Sequence, residues 1–222
     1  MTSLLDLLAP PRCAICAAAG PLLCAGCLIG MPLMTGPTCD RCGAPSHRPV
    51  SECVGCRGCR LAYESASSGM LFDGPARRLV HAFKDGGLRA LAEPAAALTA
   101  LAVEPPDAAV VTWVPPDPLR LALRGYHPAQ RLAEELAARW SLPSRPLLRA
   151  PLLRRPQRGL TRAQRRSNVR DAFTATAPVA GRVCLVDDVH TTGATLQAAA
   201  RALRRGGAVA VVAVTLARAD RA

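Results

Sequence analysis

Residues 183–195 read Val-Cys-Leu-Val-Asp-Asp-Val-His-Thr-Thr-Gly-Ala-Thr. Residues 183–186 are apolar and largely β-prone, which predicts a short buried strand. Asp187 and Asp188 follow at its carboxyl end, and a helical pattern begins at Thr195. Between them, Thr191, Thr192 and Thr195 offer hydroxyls around Gly193 and Ala194. Gly193 lets backbone N–H groups approach a ligand closely. The helix N-terminus adds free N–H groups and a dipole that favours an anion. That is the chemistry of a phosphate cradle. Two carboxylates would repel the phosphate, so Asp187 and Asp188 suit sugar hydroxyls or a hydrated Mg²⁺.

A second chemistry lies near the N-terminus. Four Cys-x-x-Cys pairs occur: Cys13/Cys16, Cys24/Cys27, Cys39/Cys42 and Cys53/Cys56. A two-residue gap lets both thiolates of a knuckle reach one metal, and two knuckles complete a tetrahedral site. Four knuckles predict two structural zinc ions. An iron–sulfur site fits the pairs less well, and a redox motif fits one pair rather than four. Sequential and interleaved pairing are both open, and sequential is preferred because short loops close at lower entropic cost. Cys59 offers Cys56-x-x-Cys59 as an alternative last knuckle, and Cys53/Cys56 is preferred. Cys184 reads as a core residue.

These groups need elements to position them. Nine of the ten cysteines precede residue 60 in a stretch rich in Pro and Gly, which predicts a small stapled module over 1–60. Residues 61–222 alternate strand and helix patterns. Strands are predicted at 65–72, 108–114, 147–153 (weak), 183–186 and 208–216. Helices are predicted at 75–84, 88–101, 129–140 and 195–204. The alternation implies an α/β fold: a mostly parallel, doubly wound sheet with helices on both faces. Ligands of such sheets bind at the carboxyl edge, where residues 187–195 fall.

Composition narrows the function classes. The chain has 222 residues, 50% of them hydrophobic, which excludes a disordered chain. The longest apolar or Gly/Thr run, 206–217, is too short to span a bilayer. Residues 1–11 include Asp6 and lack a basic start, unlike a signal peptide. The cytoplasm is therefore the expected compartment, where thiols stay reduced. Net charge is +12, which points to a polyanionic ligand or partner. Seven aromatic residues are too few for a broad base-stacking platform. Residues 139–170 contain ten arginines and no acid, and their turn-like centre at 154–159 reads as a mobile basic loop facing an anion. Lys84 is the single lysine, at the end of a predicted helix.

The stretch 183–195 resembles the phosphoribosyl pyrophosphate motif of type I phosphoribosyltransferases at every position. The resemblance implies that Asp187 and Asp188 are catalytic and hold the ribose 2′- and 3′-hydroxyls. It implies that Thr191, Thr192, Gly193, Ala194 and Thr195 hold the 5′-phosphate, that Mg²⁺ accompanies the ligand, and that 154–170 forms a hood over the site. Lys84 and Arg124 are further expected ligand contacts. With the cysteine module in front, nearly the whole chain resembles the ComF family of competence proteins. The residues that carry this likeness include Cys39-x-x-Cys42-Gly43, Phe72-Asp73-Gly74, Lys84, Val114-Pro115, Arg124-Gly125-Tyr126, Gln157, Arg165, Arg166 and Asn168. It implies single-stranded DNA and DNA-uptake proteins as partners. The family's Phe-Asn-Gln after Arg-Gly is here Tyr126-His127-Pro128, which leaves the acceptor side open. His127 reads as a structural donor and His190 as exposed filler. Two functions compete: Mg²⁺-dependent phosphoribosyl transfer to an unknown acceptor, and a non-catalytic protein that binds single-stranded DNA.

Overall fold

The computed structural model describes residues 11–117, 121–122, 125–150 and 172–219. A parallel sheet runs through the middle of the chain's α/β part. It contains β1 (Ser65–Leu71), β2 (Val110–Trp113), β5 (Arg182–His190) and β6 (Ala210–Arg218), in the order β1-β6-β5-β2. All three pairings are parallel. A separate antiparallel pair joins β3 (Leu148–Arg149) to β4 (Thr174–Ala175).

Both faces of the sheet are covered, as the apolar runs require. Val183 and Leu185 of β5 point into a core shared with Leu196 and Leu203 of α5 (Ala194–Arg205). Cys184 and Val186 point the other way, into a core with Leu132 and Leu136 of α4 (Pro128–Arg139). Burial pushes the Cys184 thiol up to about 12, so this residue belongs to the core, as its strand position suggested.

Helix α2 (Gly74–Lys84) starts where Asp73 Oδ1 accepts from Gly74 N at 2.8 Å, with Pro75 fixing the first turn. It buries Ala76, Leu79, Val80 and Phe83, and this face sets where Lys84 ends up. Each large apolar side chain so buried contributes ~1.5–3 kcal/mol. Helix α3 (Ala92–Ala102) is preceded by a 3₁₀ turn at Arg89–Leu91, so the predicted helix over 88–101 starts later than expected. The weak strand predicted at 147–153 is only Leu148–Arg149 among the described residues, and its partner Thr174–Ala175 had no signal of its own.

Among the described residues of the cysteine-rich segment, the helical elements are α1 (Ala25–Ile29) and a 3₁₀ turn at Val54–Cys56. It packs along β1. Leu33 bridges Met70, Met34 N donates to Gly69 O (3.0 Å), and Leu71 N donates to Pro32 O (2.9 Å). Cys13, Ile15, Leu23 and Met31 belong to the same core as the α/β part. Gly43 has φ +68°, and a Cβ there would run into the Ala66 carbonyl, so the Cys39/Cys42 knuckle lies directly on the β1 backbone.

Candidate functional site

Strand β2 leaves the sheet after Trp113, opposite Val186, where Val114 N donates to Val186 O at 2.9 Å. Strand β5 continues alone against β6 through Asp187, Asp188 and Val189, ending with His190 in register with Arg218. The predicted strand at 183–186 is therefore too short. The acids lie inside the strand rather than after it, because β6 supplies a ladder partner as far as Arg218. Where β2 departs, a cleft of about 340 Å³ opens beside the acids. Lys84, Asp117, His127, Phe173, Asp187, Asp188, Thr191 and Thr195 all line it.

Lys84 at the end of α2 forms an ion pair with Asp188. The carboxyl of Asp187 is pushed up to about 8, first by burial and then by the charge of Asp188. The Asp188 backbone N–H, which donates to Asp187 Oδ1 at 2.9 Å, and the Lys84 ammonium pull the other way. In the free protein near neutral pH the Asp187 carboxyl therefore keeps its proton. The sign follows: the folded state binds this proton more tightly than the unfolded chain. Stability from this group is full below about pH 4 and declines as pH rises toward 8. Asp187→Asn is expected to remove that slope. Melting curves of both proteins from pH 5 to 9 check it, with the variant gaining relative to wild type as pH rises.

After β5, Gly193 takes φ +72° and caps α5, whose first turn carries Ala194 and Thr195. Ala194 N donates to Thr192 Oγ1 at 3.3 Å. A Cβ on Gly193 would stand 2.8 Å from His190 Nε2 and 3.3 Å from the Tyr63 hydroxyl. Gly193→Ala is therefore expected to lose ~1–2 kcal/mol from the left-handed backbone alone, with the clash in addition. Calorimetry should read a fall in Tm of roughly 2–8 °C.

His190 is buried, against the expectation of exposed filler. Its Nδ1 accepts from Arg218 Nη1 at 2.8 Å, and its ring meets Tyr63 edge-on. Sequence reading missed His190, Arg218 and Phe173 as parts of this region. The signal for the first two was the apolar run 210–217, long enough to keep its neighbour extended through residue 190. His127 lines the cleft as the N-cap of α4 and is buried. Arg124, the hood at 154–170 and residues 1–10 lie outside the described residues.

The cysteines gather as Cys13, Cys16, Cys24, Cys27 and as Cys39, Cys42, Cys53, Cys56, with the sulfurs of each group within 4.8 Å of one another. The sequential pairing holds, and Cys59 lies outside, with its Sγ facing the Gly55 carbonyl at 3.5 Å. The groups fit zinc. Cys16 and Cys24 sulfurs lie 3.7 Å apart and Cys42 and Cys53 sulfurs 3.6 Å. Ligands about 2.3 Å from a tetrahedral zinc would stand about 3.8 Å apart. Although burial opposes ionisation, backbone N–H groups bring the Cys13 thiol down to about 6 and the Cys39 thiol to about 7. One of these amides is Cys53 N, 3.2 Å from Cys39 Sγ. The backbone thus favours one thiolate in each group before any metal arrives, while burial and neighbouring sulfurs push the Cys27, Cys42 and Cys56 thiols up.

Two four-cysteine groups, each built from two knuckles and packed on a parallel α/β domain, define a double zinc ribbon protein with an acidic cleft. The Double zinc ribbon domain family matches residues 4–60. Competence protein F of Haemophilus influenzae is 30% identical over 213 residues, covering 89% of this chain and 90% of that protein. The chain belongs to the ComF family of that protein. Among solved structures it is similar to the allosteric regulatory enzyme of purine biosynthesis, with TM-score 0.41 and 25% identity over 56% of this chain and 25% of that one. It is also similar to orotate phosphoribosyltransferase from Aeropyrum pernix, with TM-score 0.37 and 24% identity over 63% and 62%. The chain thus spans a quarter of the purine enzyme and less than two thirds of the orotate enzyme. Among the described residues, no helix is long and apolar enough to cross a membrane.

Proposed function

We propose that the cleft binds phosphoribosyl pyrophosphate with Mg²⁺ and that the protein transfers the phosphoribosyl group to an acceptor. One observation carries this reading. Thr191 after β5, Thr195 in the first turn of α5 and the acids of β5 line a single cleft with Lys84. In it, Thr191, Thr192, Gly193, Ala194 and Thr195 hold the 5′-phosphate through hydroxyls and the free N–H groups of α5. Asp187 and Asp188 accept from the ribose 2′- and 3′-hydroxyls. They also face the positive charge that grows on the ribose as pyrophosphate departs from C1′. Hydroxyl donors favour the ionised carboxylate, so binding of a diol favours release of the Asp187 proton.

Lys84 holds Asp188 in place and offers the departing pyrophosphate a cation. The carboxylate and hydroxyl oxygens of the cleft suit magnesium, which supplies charge screening for the pyrophosphate. Arg124 and the arginines of 154–170 are proposed for the same pyrophosphate side. The two zinc ions are structural.

Calorimetric titration of the zinc-loaded protein tests the reading. Heat of binding that requires Mg²⁺ is the expected result, followed by pyrophosphate release once the acceptor is present. Absence of binding by the folded protein overturns it. A second reading draws on the +12 net charge and on the relative's role in competence: single-stranded DNA as a partner of a cytoplasmic DNA-uptake system. Its sign is binding that weakens steeply with salt.

A further inference from the structure

Arg218 closes β6 and is buried, with 6% of its surface exposed. A guanidinium stays charged at every physiological pH and must find acceptors when buried. Among the described residues, no carboxylate forms a salt bridge with it; its contacts run in two directions instead. Toward the ribbon, Nη1 donates to the Cys42 carbonyl at 2.5 Å, and Nη2 lies 3.9 Å from Cys42 Sγ. Toward the cleft, Nη1 donates to His190 Nδ1 at 2.8 Å. On the ribbon side this cation therefore sits against Cys42, one of the four sulfurs of the Cys39, Cys42, Cys53 and Cys56 group.

His190 passes the contact on. Arg218 can only donate, so Nδ1 must accept, which puts the ring proton on Nε2. Nε2 is the atom nearest to where a Gly193 side chain would begin, and the Tyr63 hydroxyl closes the same space. Tyr63 also meets the ring edge-on at 6.4 Å between centroids. The Cys39/Cys42 knuckle itself is seated rigidly, because Gly43 sits against the Ala66 carbonyl with no room for a side chain. A continuous run of packed polar groups thus leads from Cys42 through Arg218 and His190 to Gly193.

We propose that Arg218 is a positioning residue that braces the loop at 191–193 through His190, with the Cys39/Cys42 knuckle as its fixed support. The value of this brace to ligand binding rests on the reading of that loop as a phosphate cradle; the brace itself does not. Gly193 in the left-handed conformation sits against His190, and the buried charged hydrogen bond from Arg218 fixes that ring. The zinc ribbon is then part of the cleft's construction.

Arg218→Gln and Arg218→Lys separate the possibilities. In Arg218→Gln, two zinc ions per chain remain bound, and hydrogen exchange of the amides of residues 191–195 speeds up by about tenfold or more. The His190 ring ¹⁵N signals lose the pattern of a proton fixed on Nε2. Arg218→Lys, which keeps the cation and a donor, restores part of the protection. Unchanged exchange with both zinc ions bound overturns the proposal. Should Arg218→Gln lose zinc or fail to fold, His190→Leu decides, because it leaves the Cys42 contacts in place. Faster loop exchange in that variant supports the brace, and unchanged exchange overturns it. Titration with phosphoribosyl pyrophosphate and Mg²⁺ is run alongside. No binding by wild type ends the functional reading and leaves the exchange result to judge the brace alone.

Discussion

Replacing Asp187 and Asp188 together by Asn abolishes calorimetric binding of phosphoribosyl pyrophosphate with Mg²⁺, while the protein stays folded and zinc-loaded. Each carboxylate is expected to accept a charge-assisted hydrogen bond from a ribose hydroxyl, worth ~1.5–3 kcal/mol. Two such bonds sum to ~3–6 kcal/mol, or a loss of about 100-fold to 10⁴-fold in affinity. The fold is not expected to suffer. Burial and Asp188 already hold the Asp187 carboxyl up at about 8, so its ionised form is costly to the free protein. Neutral Asn relieves that cost. The single changes should differ. Asp188→Asn also strips Lys84 of its ion-pair partner, whereas Asp187→Asn leaves that pair intact. Affinity retained within about threefold in the double variant would falsify the diol-binding role of the acids.

Removal of both zinc ions is the other large effect. Structural zinc contributes ~10–16 kcal/mol to the folding of small metal-bound modules, more than residues 11–60 can recover from their own apolar contacts. Chelation, or Cys39→Ser for the second site, is expected to melt the ribbon. The effect should spread further, because Cys13, Ile15, Leu23 and Met31 are built into the main core. If only ~3–5 kcal/mol of the loss reaches the α/β part, its Tm falls by roughly 6–20 °C. Scanning calorimetry with parallel zinc and thiol counts measures this. Acid should mimic the chelator, since protons compete for the thiolates. An unchanged melting temperature after loss of both ions would show that the ribbon is ornamental to the fold.

The sequence was most informative where chemistry demands particular residue types at particular spacing. Four Cys-x-x-Cys pairs left one arrangement of short loops favoured, and the sulfurs gather in that arrangement. The order strand, acids, threonines and glycine, helix told where the cleft would be. Contacts between residues far apart in sequence were harder to read. His190 looked like a polar residue in a loop, yet its partner Arg218 lies 28 positions away on the neighbouring strand. Lys84 was noticed for its rarity, but nothing local said it would reach Asp188. The antiparallel pair at Leu148–Arg149 and Thr174–Ala175 is too short to leave a periodic pattern. Such features depend on register and packing, which a single sequence encodes only weakly.

The backbone of Pro32–Met34 lies along the outer side of β1, where Leu33 bridges Met70. An edge strand left bare presents unpaired N–H and C=O groups that can template pairing with another chain. The ribbon covers that side, so a chain made without metal loses more than a small module. It displays a strand with Met70 and Leu71 to every neighbouring copy, and strand addition between copies becomes available. Zinc loss is therefore expected to favour strand pairing between copies, which light scattering of the chelated protein would read.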